Sequence, residues 1–278
     1  MKICILGGGN MGRALAGGLI RRGTEPSVLS IGESHEPTRL ALARDLNVTA
    51  TADNLAAISG AGVVVIAVKP QDVASVLAPL APQLSRERPL LLSVAAGIRT
   101  ESLQSWCGPD VPIVRAMPNR PALVGAGATG LYAPASVSAS AREQAASIMG
   151  AVGEVVWVST EEALDVVTAL SGSGPAYFFL LAELMADAAV SLGLEPDAAK
   201  RLAIATLHGS GLLAHSSDGD LARLREQVTS KGGTTEAALR AFNEADLRAI
   251  VARALTAAAR RSQELAAQFG TDSSRTGK

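Results

Sequence analysis

The stretch Gly7-Gly8-Gly9-Asn10-Met11-Gly12 follows a short apolar segment and opens a segment with helical spacing. Its glycines have the Gly-x-Gly-x-x-Gly spacing of dinucleotide-binding loops. They permit a tight turn, close approach of the backbone to a pyrophosphate, and close helix–strand contact. The free N–H groups at the start of the helix then attract the anion. The loop predicts a dinucleotide site formed by Gly7, Gly9, Asn10, Met11 and Gly12.

Short apolar runs alternate with helical patterns from this loop to about residue 160. This alternation is typical of βαβ units and a parallel sheet. The run Val63–Val68 lacks polar alternation, as expected of a central strand that is covered on both faces. Strands are predicted at Lys2–Leu6, Ser27–Ile31, Val63–Val68, Leu90–Val94 and Ile113–Arg115, with further candidates at Gly125–Tyr132 and Gly153–Val158, and helices at Met11–Arg22 and Glu36–Leu46.

After Ser159 the sequence becomes almost entirely helical. We therefore predict an α/β fold with an N-terminal Rossmann-like dinucleotide-binding domain at residues 1–160. An all-helical domain for substrate binding and dimerisation is expected at residues 161–270, and a disordered polar tail at 271–278. The last helix is expected to place one set of apolar residues on a single face: Leu239, Phe242, Leu247, Ile250, Val251 and Ala254.

Composition excludes several classes of protein. The net charge is −1 with dispersed Lys and Arg, which argues against nucleic-acid binding. Cys4 and Cys107 fit no disulfide or zinc spacing, which favours a reducing cytosol. The three histidines are scattered, so no metal site is expected.

No secretory-signal pattern is recognised, and no membrane association is expected. The most apolar helical stretch, Ala176–Ala182, is followed by Glu183 and Asp187. It is therefore predicted to be too short for the ~20 residues that span a bilayer. A soluble, cytoplasmic protein is expected.

The end of the second strand leaves the choice of dinucleotide open. Glu33 stands where a carboxylate binds the ribose 2′-OH of NADH, and this carboxylate would repel a 2′-phosphate. Ser34, His35 and Arg39 nearby would instead suit the 2′-phosphate of NADPH. We expect both cofactors to work.

Four further motifs, taken in order with the glycine loop, resemble the pyrroline-5-carboxylate reductase family over residues 1 to 268. They are Ala67-Val68-Lys69-Pro70, Met117-Pro118-Asn119, Ser171-Gly172-Ser173-Gly174-Pro175-Ala176-Tyr177 and Val228-Thr229-Ser230-Lys231-Gly232-Gly233-Thr234-Thr235. The family generally has proline where Lys231 stands and threonine where Arg120 stands. These two extra cations are compatible with an anionic substrate.

For the cofactor, the resemblance implies NADPH or NADH bound by two more sets of residues. It places Asn54 and the segment Ala67, Val68, Lys69 and Pro70 around the cofactor. It also implies that the backbone at Ala95, Ala96 and Gly97 borders the nicotinamide. The residues themselves allow two interpretations of Lys69: its charge approaches the cofactor phosphates, or it is a solvated lysine at a strand end.

The loop Thr229–Gly233 combines hydroxyls with paired glycines before a helix that begins near Thr234. Backbone N–H groups in such a loop can cradle a carboxylate, whereas Thr234 or Thr235 would alternatively only cap the helix. The resemblance implies that Thr235 hydrogen-bonds the ring nitrogen of the substrate and is catalytic. It likewise implies that Ser230, Gly233 and Thr234 hold the substrate carboxylate. The segment Ser171–Tyr177 would serve either helix packing or substrate contact.

The function implied is hydride transfer from NAD(P)H to the cyclic imino acid 1-pyrroline-5-carboxylate, which yields L-proline. Together with the apolar helices, the resemblance also implies a homodimer or larger homo-oligomer. One alternative is a β-hydroxyacid or 6-phosphogluconate-type dehydrogenase, but no lysine closely follows Ser171–Pro175. Another is a non-catalytic dinucleotide sensor, which would not need the hydroxyls of Ser230, Thr234 and Thr235.

Overall fold

The computed structural model describes residues 1–217 and 219–272. Eight strands form one sheet in the order β3-β2-β1-β4-β5-β6-β7-β8. Neighbouring strands are parallel except β6 and β7, which are antiparallel. The strands are β1 Ile3–Leu6, β2 Leu29–Gly32, β3 Thr49–Thr51, β4 Val63–Ile66, β5 Leu90–Ser93, β6 Ile113–Met117, β7 Gly127–Tyr132 and β8 Gly153–Trp157.

Up to β8 the α-helices lie between strands, with α4 and α5 both between β4 and β5 and a 3-10 turn at Arg120–Val124 between β6 and β7, and after β8 they follow one another. Those between the strands are α1 Asn10–Arg21, α2 Glu36–Leu46, α3 Asn54–Ile58, α4 Val73–Leu77, α5 Ala81–Glu87, α6 Thr100–Cys107 and α7 Ala139–Gly150. Those after β8 are α8 Ala163–Val167, α9 Gly174–Ser191, α10 Pro196–Ser216, α11 Leu221–Gln227, α12 Thr234–Glu244 and α13 Leu247–Asp272, with a π-helical turn at Thr168–Gly172.

The core lies on both faces of the sheet because successive side chains of a strand point to opposite faces. Ile3 and Ile5 belong to one buried cluster, and Cys4 and Leu6 belong to the other. Every residue of β1, β2, β4 and β5 is buried, which agrees with the continuous apolar runs in the sequence. The predicted α/β, Rossmann-like class is confirmed.

Two local features differ from the prediction. Strand β3 was not predicted, because its three residues are polar or small and it is ordered by pairing with β2 at the sheet edge. The predicted single last helix is wrong, since Asp246 has a left-handed φ of 52° between α12 and α13. Leu239 and Phe242 therefore lie on α12, whereas Leu247, Ile250, Val251 and Ala254 lie on α13.

The chain packs as two compact units. The first unit contains Met1–Ser173 together with the described residues from Ala258 onward, and the second unit is Gly174–Ala257. Compactness thus divides the chain after Ser173, later than the boundary expected at residue 160, because α8 and the π-helical turn contact strand β7. Of the expected tail, residues 273–278 lie outside the described residues.

One helical run is longer and more apolar than the sequence predicts. Ala163–Ser191 spans 29 residues, contains an 18-residue window with a mean hydropathy of 1.3, and is long and apolar enough, by length and composition alone, to cross a membrane. The prediction that the apolar stretch is limited to Ala176–Ala182 is wrong, because the π-helical turn at Thr168–Gly172 joins α8 to α9 in one run.

Candidate active site

The glycine loop has the geometry that its spacing predicts. Gly7 has a φ of 104°, and a Cβ there would lie 2.7 Å from the backbone of Ala67. A Cβ on Gly12 would collide with the carbonyl oxygen of Gly7, whereas one on Gly9 would meet nothing within 4 Å. Gly9 precedes α1, and no side chain caps the helix there. The loop is thus tight where strand and helix meet and open at the helix start, which suits a pyrophosphate.

The other predicted cofactor residues of the first unit lie at the carboxyl ends of adjacent parallel strands. Leu6 pairs with Gly32 and with Ile66, and Ile66 pairs with Ser93, so β2, β1, β4 and β5 end at one level. The order places β1 between β2 and β4, where open α/β sheets bind ligands. The structure thus brings four segments together at the carboxyl ends of the strands: Gly7–Gly12, Glu33–Ser34, Ala67–Pro70 and Ala95–Gly97.

Asn54, at the start of α3, also lies at the carboxyl ends of these strands. A Cβ on Gly32 would collide with the side-chain oxygen of Asn54, so glycine at the end of β2 makes room for that side chain. At the end of β4, Lys69 is exposed and follows the half-buried Ala67 and Val68. Its ammonium is therefore free to approach an anion.

Glu33 binds the glycine loop directly. Its Oε2 accepts a hydrogen bond from the Gly8 N–H at 2.8 Å, and its Oε1 accepts one from the His35 N–H at 2.8 Å. The carboxylate thus faces the glycine loop. Arg39 lies at the same turn, where its Nη1 donates to the carbonyl oxygens of Glu33 and Ser34. Both candidate groups for cofactor discrimination therefore stand side by side.

The loop after β5 is covered by the last helix. Gly97 has a φ of 75°, and a Cβ there would lie 3.1 Å from the ring of Phe269 on α13. A cavity of about 440 Å³ lies beside the loop. It is lined by Pro70, Ala96 and Gly97, by Thr168 and Ser173, and by the α13 residues Ala258, Arg261, Ser262, Leu265 and Phe269.

Next to this cavity the structure shows a buried group of charges that sequence reasoning missed. Asp165 accepts hydrogen bonds from Arg99 Nη2 at 2.8 Å and from Ser262 Oγ at 2.7 Å. Glu161 accepts hydrogen bonds from the Thr100 N–H and from Arg115 Nη1, both at 2.7 Å. A polar residue on an otherwise apolar helical face, as at Asp165, is the one signal that would have suggested such a contact.

Burial and hydrogen bonding act in opposite directions on Glu161. Burial raises the pKa of its carboxyl, but hydrogen bonds from Thr100 and the charge of Arg115 outweigh burial and leave the pKa below its ordinary value of 4.5. Burial likewise lowers the pKa of Arg115, against the opposing effect of Glu161. The Glu161 carboxyl is therefore ionised at neutral pH.

Two of the motifs that carry the resemblance meet within the first unit. Asn119 is buried, its Nδ2 donates to the carbonyl oxygen of Ser171 at 3.0 Å, and its Oδ1 accepts from the Ala128 N–H at 2.9 Å. A Cβ on Gly172 would lie 2.8 Å from the Met117 side chain. Packing is therefore sufficient to explain Met117-Pro118-Asn119 and the start of Ser171–Tyr177. Arg120 is exposed at the start of the next turn.

The second unit holds the predicted substrate residues in the turn before α12 and at the start of that helix. Gly232 has a φ of 73°, Gly233 precedes the helix, and Thr234 and Thr235 are its first two residues. No side chain caps this helix, so the interpretation of Thr234 or Thr235 as a cap is not supported. The Gly232 N–H donates to the Glu236 carboxylate, and Ser230 and Lys231 are exposed. The turn therefore already binds one carboxylate of the chain itself.

Comparisons with known proteins match both regions. A family model described as pyrroline-5-carboxylate reductase dimerisation matches residues 161–265, and one described as NADP oxidoreductase coenzyme F420-dependent matches residues 2–97. A pyrroline-5-carboxylate reductase of Pseudomonas aeruginosa is 45% identical over 97% of this chain and 98% of its own length. The chain belongs to the pyrroline-5-carboxylate reductase family.

Solved structures of the family agree with this fold. The enzyme from Coxiella burnetii has a TM-score of 0.92 at 40% identity, covering 95% of this chain and 98% of its own. The Plasmodium falciparum enzyme, solved with NADP bound, has a TM-score of 0.79 at 29% identity over 96% and 98%. The family resemblance expected from the motifs is confirmed.

Proposed function

We propose that this chain reduces 1-pyrroline-5-carboxylate to L-proline with NADPH or NADH. The observation that carries the proposal is the identity of 45% to a pyrroline-5-carboxylate reductase over nearly the full chain, since it spans both the glycine loop and the Thr235 turn. The NADP in the Plasmodium falciparum relative supports a dinucleotide cofactor here.

The residues present fit such a cofactor. The space beside Gly9 is open, whereas Gly7 and Gly12 are crowded. A pyrophosphate could occupy that open space, which a side chain at position 9 would fill. Gly7, Gly9, Asn10, Met11 and Gly12 would hold the pyrophosphate. Glu33, Ser34 and Asn54 would bind the ribose end, Ala67, Val68, Lys69 and Pro70 would border the cofactor, and Ala95, Ala96 and Gly97 would border the nicotinamide.

The reduced nicotinamide would supply the hydride, and the chain would orient the imine. In this proposal the Thr235 hydroxyl hydrogen-bonds the ring nitrogen, and Ser230, Gly233 and Thr234 hold the carboxylate. A cyclic imine can be protonated before reduction, so no strongly tuned acid is needed beside it. Thr235 at the second position of α12 and the carboxylate-binding N–H of Gly232 support this arrangement.

A cytoplasmic homodimer or larger homo-oligomer completes the proposal. The match to a dimerisation domain supports self-association, with the helical domain as the contact. A second copy would cover the apolar helix surface around Ala163–Ser191, which would then have no need of a membrane. No nucleic acid or metal is required by this function.

A direct assay tests the reaction. Purified protein is mixed with NADPH or NADH and a panel of cyclic imino acids and hydroxy acids, and cofactor consumption is followed. Oxidation of cofactor with 1-pyrroline-5-carboxylate is expected, with proline as product. Activity confined to hydroxy acids would favour the dehydrogenase alternative, and cofactor binding without turnover would favour the sensor.

Thr235→Ala tests the assigned hydroxyl. One hydrogen bond to a developing charge contributes about 1.5–3 kcal/mol, so turnover should fall roughly ten- to a hundredfold with cofactor affinity unchanged. Thr235→Ser retains the hydroxyl and serves as the matched control, with turnover close to that of the native protein. Equal catalytic efficiency in the native protein and Thr235→Ala would remove Thr235 from the mechanism.

A further inference from the structure

The buried carboxylate of Asp165 connects two distant segments of the first unit. Asp165 is 4% exposed, and each of its oxygens accepts one hydrogen bond, from Arg99 at 2.8 Å and from Ser262 at 2.7 Å. Ser262 lies on α13 and is 7% exposed, and Arg99 follows the loop after β5. Arg99 Nη1 is buried without a hydrogen-bond partner among the described residues, so Asp165 supplies its counter-charge.

These contacts hold the loop Ala95–Gly97 from both sides. On one side, Arg99 is bound by Asp165 and the Thr100 N–H by Glu161, only a few residues beyond Gly97. On the other side, Phe269 of α13 packs over Gly97. Ser262 anchors α13 to the same carboxylate that binds Arg99. The hydrogen-bond chain thus fixes the distance between the last helix and the loop, and with it the width of the cavity that they share.

A buried ionic contact of this kind is a costly way to gain stability. Desolvation offsets much of the attraction, and apolar residues of similar size often stabilise a fold as well or better. The directional hydrogen bonds do, however, define one position for each segment, which apolar packing specifies less strictly. Hydride transfer depends on such positioning, because a misplacement of about 1 Å can reduce the rate by about a hundredfold.

We propose that Asp165 and Ser262 are positioning residues for hydride transfer, which they influence by fixing α13 against the Ala95–Gly97 loop. The inference rests on the proposed function, since it requires the nicotinamide to border that loop. Neither residue needs to contact the reacting atoms. Their effect is expected on the hydride-transfer step and not on the amount of folded protein.

Ser262→Ala tests the proposal with the least disturbance. It removes the hydroxyl that joins α13 to Asp165 and leaves the Arg99–Asp165 ion pair in place. With saturating cofactor and 1-pyrroline-5-carboxylate, kcat should fall about tenfold, and the KM for each substrate should change little. With cofactor deuterated at the transferred position, the kinetic isotope effect on kcat should rise, because hydride transfer becomes slower relative to the other steps.

Two matched variants separate positioning from stability. Ser262→Thr keeps the hydroxyl that donates to Asp165, so it should retain the native kcat and the native isotope effect. Ser85→Ala removes another half-buried hydroxyl of the first unit, one that donates to the Cys107 carbonyl oxygen at 3.1 Å. It should lower thermal stability without raising the isotope effect.

The outcomes are distinguishable. If the native protein is active and Ser262→Ala has the native kcat and isotope effect, the positioning role is wrong while the proposed function stands. A fall in kcat that only follows the folded fraction, with an unchanged isotope effect, also overturns it. If the native protein fails to oxidise cofactor with 1-pyrroline-5-carboxylate, the proposed function fails and this inference fails with it.

Discussion

The two compact units bury their apolar residues to very different extents. In the first unit, whole strands such as β1 and β4 are inaccessible to solvent. Among the described residues of the second unit, only Gly174 and Ala199 are buried. Large apolar side chains of α9 and α10 are instead exposed: Phe178, Phe179, Leu180, Leu181, Leu184, Met185, Leu202, Ile204, Leu212 and Leu213.

This difference separates what one chain achieves alone from what requires a second copy. The first unit has a core of its own, and its dinucleotide site lies at the ends of buried strands. An exposed apolar surface as large as that of α9 and α10 is typical of an obligate protein–protein interface. The Thr235 turn lies in the same unit, so its order and its chemistry are expected to depend on assembly.

Breaking the proposed interface should give the largest effect. Phe178 and Leu181 are three positions apart on α9 and are 60% and 46% exposed, so Phe178→Glu with Leu181→Glu places two charges on one helix face. We expect sedimentation velocity to show monomers and reductase activity to be lost, because burying unpaired carboxylates in an interface is strongly unfavourable. Cofactor binding by the first unit should survive.

A matched pair of charges on the first unit provides the control. Ala139 and Ser140 are exposed in the first turn of α7, where glutamates are tolerated. Ala139→Glu with Ser140→Glu should keep the native assembly and activity. If the α9 variant sediments like the native protein and remains active, α9 is not at the interface, and the contrast between the units has another cause.

The features that the sequence predicts are those set by local patterns, and the features it misses depend on contacts between distant residues or on a single backbone conformation. All strands except β3, together with α1 and the glycine loop, were predictable because periodicity and the Gly-x-Gly-x-x-Gly spacing are local signals. Strand β3 and the break at Asp246 were not, because pairing with β2 and one left-handed residue determine them. The Asp165 contacts join residues 66 and 97 positions apart, which no local pattern encodes.

Cofactor choice sharpens the comparison, because it is expected to reside wholly in the first unit. Glu33 should repel the 2′-phosphate of NADPH, so we expect weaker NADPH preference than is general in the family. Glu33→Ser should shift the ratio of catalytic efficiencies toward NADPH by about tenfold, which corresponds to about 1.4 kcal/mol. The substitution also removes the hydrogen bond from the Gly8 N–H. That loss should weaken the binding of both cofactors equally and so should not change the ratio of their catalytic efficiencies.

Glu36→Ser is the control for the change in charge. Glu36 is exposed in the first turn of α2, three residues beyond Glu33, and makes the same contribution to net charge. The ratio of efficiencies should stay close to native in this variant. An equal shift in both variants would mean that the loss of any nearby negative charge changes the cofactor preference. An unchanged ratio in Glu33→Ser would mean that Glu33 does not face the ribose.

The smallest effect is expected on the pH dependence of the free energy of unfolding, and it should also originate in the first unit. The pKa of Glu161 is lower in the folded chain than its ordinary value of 4.5. A carboxyl with a depressed pKa stabilises the fold fully above its unfolded pKa, and the stabilisation is lost as the pH falls through the folded pKa.

Glu161→Gln should therefore lower the free energy of unfolding by about 1 kcal/mol at neutral pH, because charge-assisted hydrogen bonds are weakened. That difference from the native protein should shrink as the pH is lowered below about 4.5. Urea unfolding at fixed protein concentration measures it, with the exposed neighbour variant Glu162→Gln as control. A difference that stays constant down to acid pH would show that Glu161 contributes through packing and not through its charge.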